Sequence, residues 1–406
     1  MWSPTRKDGL QRLIEFVPFA GRAYASKRNY DYGVGSHSSV STLSPYVRHR
    51  MITESEVVEA VLRAHSPSAA EKFIQEVCWR TYWKGWLEHR PQVWENYLDE
   101  VAFQRAILGR DRAAAAHNAA AETGNTGIEC FDAWTRELIE TGYLHNHARM
   151  WFASIWIFTL KLPWALGADF FVRHLLDGDP ASNTLSWRWV AGLHTRGKTY
   201  LARADNIAEY TGGRIQPGRH ELAAVALPII EEFQPDRGPL RPADAVPKGQ
   251  RAVLLVTEED LSPETWPLAE VDICGVAMFA PRHIAPDWSP AVLAFKTGSM
   301  TDARQRLSTH WSKQVMAVAS PDDLMRFAAD QGATAVVTAF VPVGFVRPQI
   351  DEWATDCGAA GIPLMQIARR WDSLFWPHAT AGFFKLKEQI ASTLAQLNLT
   401  SLESSS

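Results

Sequence analysis

Three short stretches of this chain bring together side chains that could do chemistry. In EVCWR, Glu76 to Arg80, a helix places Glu76, Trp79 and Arg80 at i, i+3 and i+4, so a carboxylate, an indole and a guanidinium share one face. TGYLHNHARM repeats that geometry with Asn146, Arg149 and Met150: an amide, a cation and a soft apolar contact. In DGDPASNTLSWRW, the carboxylates Asp177 and Asp179 precede Asn183 and Trp187, which stand at i, i+4 on a helix, while Trp189 lies two residues further and points elsewhere. A fourth stretch, SSVSTLSPYVRHR, clusters hydroxyls at Ser38, Ser39, Ser41, Thr42 and Ser44 ahead of Pro45; hydroxyls and free amides at a helix start suit a phosphate or pyrophosphate. Each pattern also has an ordinary reading. A surface Glu–Arg pair beside a core tryptophan, a surface Arg beside a core Met, and N-capping by a single hydroxyl would look the same.

These stretches need elements to hold them, and the chain has two kinds. From about residue 54 to 210 apolar residues recur at helical spacing, as in AEKFIQEVCWRTYWKGWLEH and NHARMWFASIWIFTLKL. Between TGGRIQPG and RGPLRPADAVPKGQR, prolines and glycines mark a connection. Beyond it the short apolar runs RAVLLVTEE, VDICGVAMF, AVLAF, KQVMAVA, ATAVVTAF and IPLMQI alternate with helical segments, the grammar of βα units and a mostly parallel sheet. The expected fold is therefore multidomain: an all-helical domain over 1–215, a linker over 216–250 and a smaller Rossmann-like α/β domain over 251–400. The SLESSS tail should fray. No GxGxxG or P-loop opens the βα units, so dinucleotide or triphosphate binding there has little support.

Composition narrows the setting. The 406 residues exceed the usual size of one domain, with 46% apolar and 21% charged residues. No apolar run is long enough to span a bilayer, and MWSPTRKDGL lacks the apolar core of a secretory signal, so a cytoplasmic protein is expected. Four dispersed cysteines form no CxxC pair, so neither a zinc knuckle nor a disulfide framework is suggested. A net charge of −4 argues against wholesale coating of nucleic acid but leaves room for a local basic groove. The 17 tryptophans, 11 of them before residue 190, could be core alone or could carry function.

Read in order, STLSPY, EVCWR, GNTG, TGYLHNHARM, LLDGDPASN and SWRW resemble the flavin-binding domain of the photolyase and cryptochrome family, as do Tyr24 and Arg28 in YASKRN, over roughly residues 20–200. The resemblance implies noncovalent FAD in a bent form. By motif position Tyr24, Ser41, Thr42, Leu43, Ser44, Arg80, Asn146, Arg149, Asp177 and Asp179 would contact it, with Asn183 facing flavin N5. Trp187 and Trp164 match the first two members of the family's electron-transfer chain. At the usual third position stands Asp111, so another aromatic, Trp94 or Trp134, would have to finish the route.

The same resemblance implies damaged DNA as partner and substrate. Glu76, Trp79, Asn146, Met150 and Trp189 match the residues that meet a cyclobutane pyrimidine dimer, with polar groups on the flipped base edges and aromatic packing around them. Arg48, His49, Arg50, Arg188, Arg196 and Lys198 are candidates for a basic rim on DNA. The reading is a deoxyribodipyrimidine photo-lyase. The alternatives are a cryptochrome-like blue-light receptor or, given His145 and His147, a (6-4) photolyase. The family's antenna domain comes first in ordinary members. Here VLLVTEEDLS and the later strands resemble it at the C-terminus, which suggests a circular permutation; the residues that hold a folate antenna are not evident. No membrane partner is expected, and the chain is expected to be monomeric.

Overall fold

The computed structural model describes residues 2–218, 220–230, 235–279 and 287–399. Its first half is helical: α1 (Arg6–Phe16), α2 (Arg22–Lys27), α3 (Ser44–Arg48), α4 (Glu54–Ala64), α5 (Pro67–Glu88), α6 (Gln92–Leu108), α7 (Arg112–Glu122), α8 (Glu129–Thr141), α9 (Asn146–Ser154), α10 (Trp164–His174), α11 (Pro180–Val190) and α12 (Ala204–Tyr210). Start signals are built into the sequence. Ser66 caps α5 and accepts from Ala69 N, with Pro67 opening the helix, and Asp179 caps α11 in the same way ahead of Pro180. Thr53 and Glu56 form a reciprocal capping box on α4. The 22-residue α5 is the central helix, with buried residues all round, and α2, α4 and α11 pack on it. Within NHARMWFASIWIFTLKL, where apolar residues recur at helical spacing, α9 passes into a π turn at Ile155–Thr159, a local irregularity of the kind that often accompanies function.

The second half carries β1 (Arg251–Val256), β2 (Asp272–Phe279), α13 (Pro290–Trp311), β3 (Val315–Val318), α14 (Pro321–Asp330), β4 (Ala335–Ala339), α15 (Arg347–Ala359) and β5 (Leu364–Ile367), followed by α16 (Arg370–Phe375), α17 (Phe383–Lys387) and α18 (Ile390–Gln396). The five strands are parallel in the order β3-β2-β1-β4-β5, with Leu254 opposite Val276 on one side and Val337 on the other. This is a doubly wound sheet whose switch point lies between β1 and β4. One expected strand is absent. AVLAF is the first turn and a half of α13, because Ser289 caps Val292 N and Pro290 starts a helix there; a five-residue apolar run does not by itself separate strand from buried helix. The SLESSS tail lies outside the described residues.

Strand alternation fixes how the halves join. Ala252, Leu254 and Val256 share one hydrophobic core with the helical half, whereas Val253 and Leu255 pack with residues of α14 and α15 on the far face. The C-terminal ends of β1, β4 and β5 abut the helical half. Glu259 meets Arg48, Val343 N donates to Glu88 Oε1 at 2.5 Å, and Arg369 Nε meets Asp260 Oδ2 at 2.6 Å beside Arg50. The crevice where open α/β sheets usually bind ligands is thus occupied by the protein's own ion pairs. After the sheet the chain returns to α5: Trp371 Nε1 donates to Thr81 Oγ1 at 2.9 Å, and Tyr82 donates to the Ala381 carbonyl at 2.7 Å. All four cysteines are free and buried. Among the described residues no helix is long and apolar enough to cross a membrane.

Candidate functional site

The expected site residues come from α2, the turn before α3, α5, α9 and the α10–α11 corner. Asp177 and Asp179 lie on that corner, with 5% and 1% of their surfaces exposed. Arg149 of α9 donates from Nη2 to Asp177 Oδ2 at 3.0 Å and from Nε to the Leu144 carbonyl at 2.9 Å. Burial alone would raise the Asp177 carboxyl, but Arg149, Arg80 and the Ser44 hydroxyl hold it below the ordinary range. Asp179 accepts from Ser182 N at 2.8 Å and faces Lys84 at 3.2 Å, Arg48 at 3.7 Å and Arg80 at 3.8 Å. Those cations overcome its burial and drive its carboxyl far down. Asn183 follows one turn later: its N–H donates to the Asp179 carbonyl and its Nδ2 to the Ala168 carbonyl at 2.7 Å, which fixes the amide's orientation.

Several buried polar atoms in this cluster lack a hydrogen-bond partner: Asp177 Oδ1, Arg80 Nη1, Ser182 Oγ and Thr184 Oγ1. Leaving such groups unmade is costly, so their concentration here suits a polar ligand with both donors and acceptors. Nearby, the STLSP turn is strained in an informative way. Thr42, β-branched, sits at φ 50°, a conformation such residues rarely adopt, and Arg12 Nη1 lies 3.4 Å from its hydroxyl. Arg12 ion-pairs with no carboxylate among the described residues and lies over the Trp2 ring at 4.6 Å. Ser38, Ser41, Thr42, Arg12 and Tyr143 line a cavity of about 1060 Å³ together with Glu15, Glu140 and apolar side chains; it reaches the α10–α11 corner only at Leu176, and Arg80, Arg149, Asp177, Asp179 and Asn183 are not among its lining residues. Leu43 is buried at the turn, and Tyr24 is buried edge-on against Phe16 and Phe73, which raises its phenol.

On α5 the ordinary Glu76–Arg80 pair is not what forms. Glu76 Oε1 takes Arg28 Nη1 at 2.7 Å across to α2, and Arg80 turns toward Asp179. Burial raises the Glu76 carboxyl against the pull of Arg28 and Lys72, yet 35% of its side chain stays open. Trp79 is half-buried, and Phe383 of α17 stacks on it face to face, with centroids 3.8 Å apart and planes at 11°. Asn146 is exposed at the first position of α9, Met150 and Trp189 are half-buried, and Trp189 lies 5.7 Å from Tyr200. No ring contact joins Trp79 to Trp189 among the described residues.

Trp187 is fully buried, in edge contact with Phe171 at 5.1 Å and Trp156 at 6.1 Å, and a Cβ built on Gly167 would come within 2.3 Å of it. Trp164 has Tyr97 as its ring partner at 5.7 Å, with the Arg188 guanidinium over it. Tyr97 in turn lies 5.2 Å from Trp94, whereas Trp134 stacks on Trp151. Asp111 caps α7. His145 is pushed down to about 4 by burial, and His147 is lowered for the same reason while sharing a contact with Tyr200 OH at 3.2 Å.

The expected basic rim needs correction. Arg48, His49, Arg50 and Arg188 are buried: Arg48 is forked onto Glu259, Arg50 pairs with Asp372 at 2.7 Å, and His49 bonds the Glu258 carbonyl at 2.9 Å. The first three face the protein's own carboxylates and backbone and Arg188 lies over the Trp164 ring, so of the six only Arg196 and Lys198 are exposed. The sequence reading also passed over Lys84, Arg12, Glu259 and Phe383. Only Lys84 had a local signal, standing at i+4 from Arg80 inside an apolar stretch.

Residues 73–211 match the model of the FAD binding domain of DNA photolyase. A deoxyribodipyrimidine photo-lyase of Streptomyces griseus is 33% identical over 182 residues, covering 42% of this chain and 38% of that protein. The Escherichia coli protein of the same name is 27% identical over 206 residues, covering 48% and 41%. The chain thus spans about two fifths of the length of these relatives. The structure of a bacterial class III photolyase from Agrobacterium tumefaciens aligns over 52% of this chain and 44% of its own, at 26% identity and a TM-score of 0.42.

Proposed function

We propose that the protein, whose residues 73–211 match the FAD binding domain of DNA photolyase, is a light-dependent DNA repair flavoprotein acting on cyclobutane pyrimidine dimers. The observation that carries the cofactor half of this reading is the cluster of buried atoms without hydrogen-bond partners on Arg80, Asp177 and Ser182. Ser41, Thr42, Ser44 and Arg12 would take phosphate, and Arg80, Arg149, Asp177, Asp179 and Asn183 the sugar and ring edges. When bound and reduced, FAD would supply light-driven one-electron donation, the chemistry that opening a cyclobutane ring needs.

The chain's own residues do the rest. Trp187, with Gly167 against its ring, excludes water from one side of α11. Glu76 offers a partly open carboxylate to a flipped base edge, and Asn146 an exposed amide. Trp79, Met150 and Trp189 provide apolar packing around the fused bases. Burial pushes the His145 imidazole down to about 4, which lends no support to a reading that needs an imidazolium proton donor. Reduced protein under blue or near-UV light should restore thymine absorbance in a dimer-containing oligonucleotide; no restoration by flavin-loaded protein would overturn the repair reading.

A second reading, a cryptochrome-like blue-light receptor, is favoured by one observation. Phe383 stacks on one face of the Trp79 indole, which leaves less of that ring to receive a flipped base. Under that reading the flavin is photoreduced and the dimer is left unrepaired.

A further inference from the structure

Glu259 stands just beyond β1 and belongs to the α/β half. Its carboxylate takes Arg48 as a fork, Nη1 to Oε2 at 2.8 Å and Nη2 to Oε1 at 2.9 Å, and lies 3.6 Å from Lys84 Nζ. The same two cations reach across to Asp179 at 3.7 and 3.2 Å, and Arg80 joins them at 3.8 Å. Arg48 Nε also donates to the Gly178 carbonyl at 3.2 Å, one residue before Asp179. None of Arg48, Lys84, Asp179 and Glu259 exposes more than 6% of its surface. Two carboxylates from different halves of the molecule therefore share two buried cations.

Domain docking does not require this arrangement. The halves already share a continuous apolar core, and buried charges are commonly no better than well-packed apolar groups at holding surfaces together. What the cluster adds is a fixed geometry at the α10–α11 corner. Asp179 caps α11, its carbonyl receives Asn183 N–H, and its carboxylate faces Arg80. Three cations, Arg48, Lys84 and Arg80, surround two carboxylates. Without the charge of Glu259, Arg48 and Lys84 would bear more heavily on Asp179, with Glu258 left at 4.0 Å from Arg48, and the local potential would become more positive.

We propose that Glu259 is a positioning residue for the cofactor site: through Arg48 and Lys84 it sets Asp179, and with it the start of α11 and the placement of Arg80 and Asn183. The α/β half thus completes the flavin site of the helical half. This rests on the FAD reading above.

The test uses the full-length protein and FAD itself. Glu259→Gln should weaken FAD binding about tenfold or more and shift the midpoint potential of the bound flavin in the positive direction, a readout that packing alone would not move. Should Glu259→Gln fail to fold, the double variant Arg48→Met with Glu259→Leu replaces the pair by apolar groups, is expected to fold, and should show the same loss of FAD affinity. Wild-type protein that binds FAD, alongside folded variants with unchanged affinity and potential, overturns the proposal alone. Wild-type protein that cannot bind FAD overturns it together with the FAD reading.

Discussion

At the scale of residues the account is most exposed at Glu76 and Trp187. Truncating Glu76 to Ala removes a partly open carboxylate whose partner, Arg28, can turn to solvent, so the fold should survive and FAD should stay bound. A charged hydrogen bond to a flipped base is worth about 1.5–3 kcal/mol, so dimer repair or affinity should fall by roughly one to two orders of magnitude. Equal repair by variant and wild type would remove Glu76 from the site. Trp187→Phe keeps most of the buried aromatic volume, so FAD content should persist while thiol-supported photoreduction of oxidised flavin slows sharply; an unchanged flavin-radical yield would leave Trp187 as core packing. Gly167→Ala tests the same contact from the other side. Its Cβ would fall 2.3 Å from the Trp187 ring, and overpacking of this kind costs about 1–3 kcal/mol, which a thermal melt would register as a lower midpoint.

Among the elements, α17 matters most, since it separates the two functional readings. Face-to-face stacking at 3.8 Å is the arrangement a nucleobase would adopt on Trp79, and Phe383 already holds it. If the protein repairs dimers, Phe383→Ala should tighten binding of a dimer-containing oligonucleotide several-fold, because nothing then competes for the indole. Exposed Phe384 is the control position, and its replacement by Ala should leave affinity unchanged. Binding that weakens or stays constant in Phe383→Ala would favour the photoreceptor reading. The element scale is also where the sequence was most informative. Proline and cap residues marked the starts of α3, α5 and α11, and apolar runs located all five strands. AVLAF failed because five apolar residues carry no period, and α17 was illegible because its role depends on a contact between residues 304 positions apart, Trp79 and Phe383.

The whole molecule shows what composition and spacing could not. The resemblance implied that Asp177, Asp179, Arg80 and Arg149 meet, and the structure pairs Arg149 of α9 with Asp177 and Arg80 of α5 with Asp179. The fate of Arg48, His49 and Arg50 was hidden, because a basic triplet looks the same whether it meets DNA or the carboxylates of a second domain. The assembled core also holds several histidines neutral. Burial pushes His145 and His174 down to about 4, His194 to about 3, and His49 well below its usual value. In the unfolded chain each takes up a proton below about 6.5. Stability is therefore full above that pH and declines as pH falls toward 4, with more than one proton taken up on unfolding. The depressed carboxyls of Asp177 and Asp179 act lower, below their ordinary range, and do not mask this window. Denaturation midpoints should stay level from pH 7.5 to about 6.5 and fall from there to about pH 4.5; a profile flat across the whole range would contradict the buried, neutral assignment.

The central claim is that the corner between α10 and α11, with Arg80, Arg149 and the STLSP turn, is a flavin site. It is tested most directly by the flavin content of gently purified, full-length protein, with release on denaturation to show that the attachment is noncovalent. The expected result is one FAD per chain in wild type and a marked loss in Asp177→Asn, which weakens the pairing with Arg149 while preserving shape. Colourless wild-type protein that cannot be reconstituted with FAD would contradict the account.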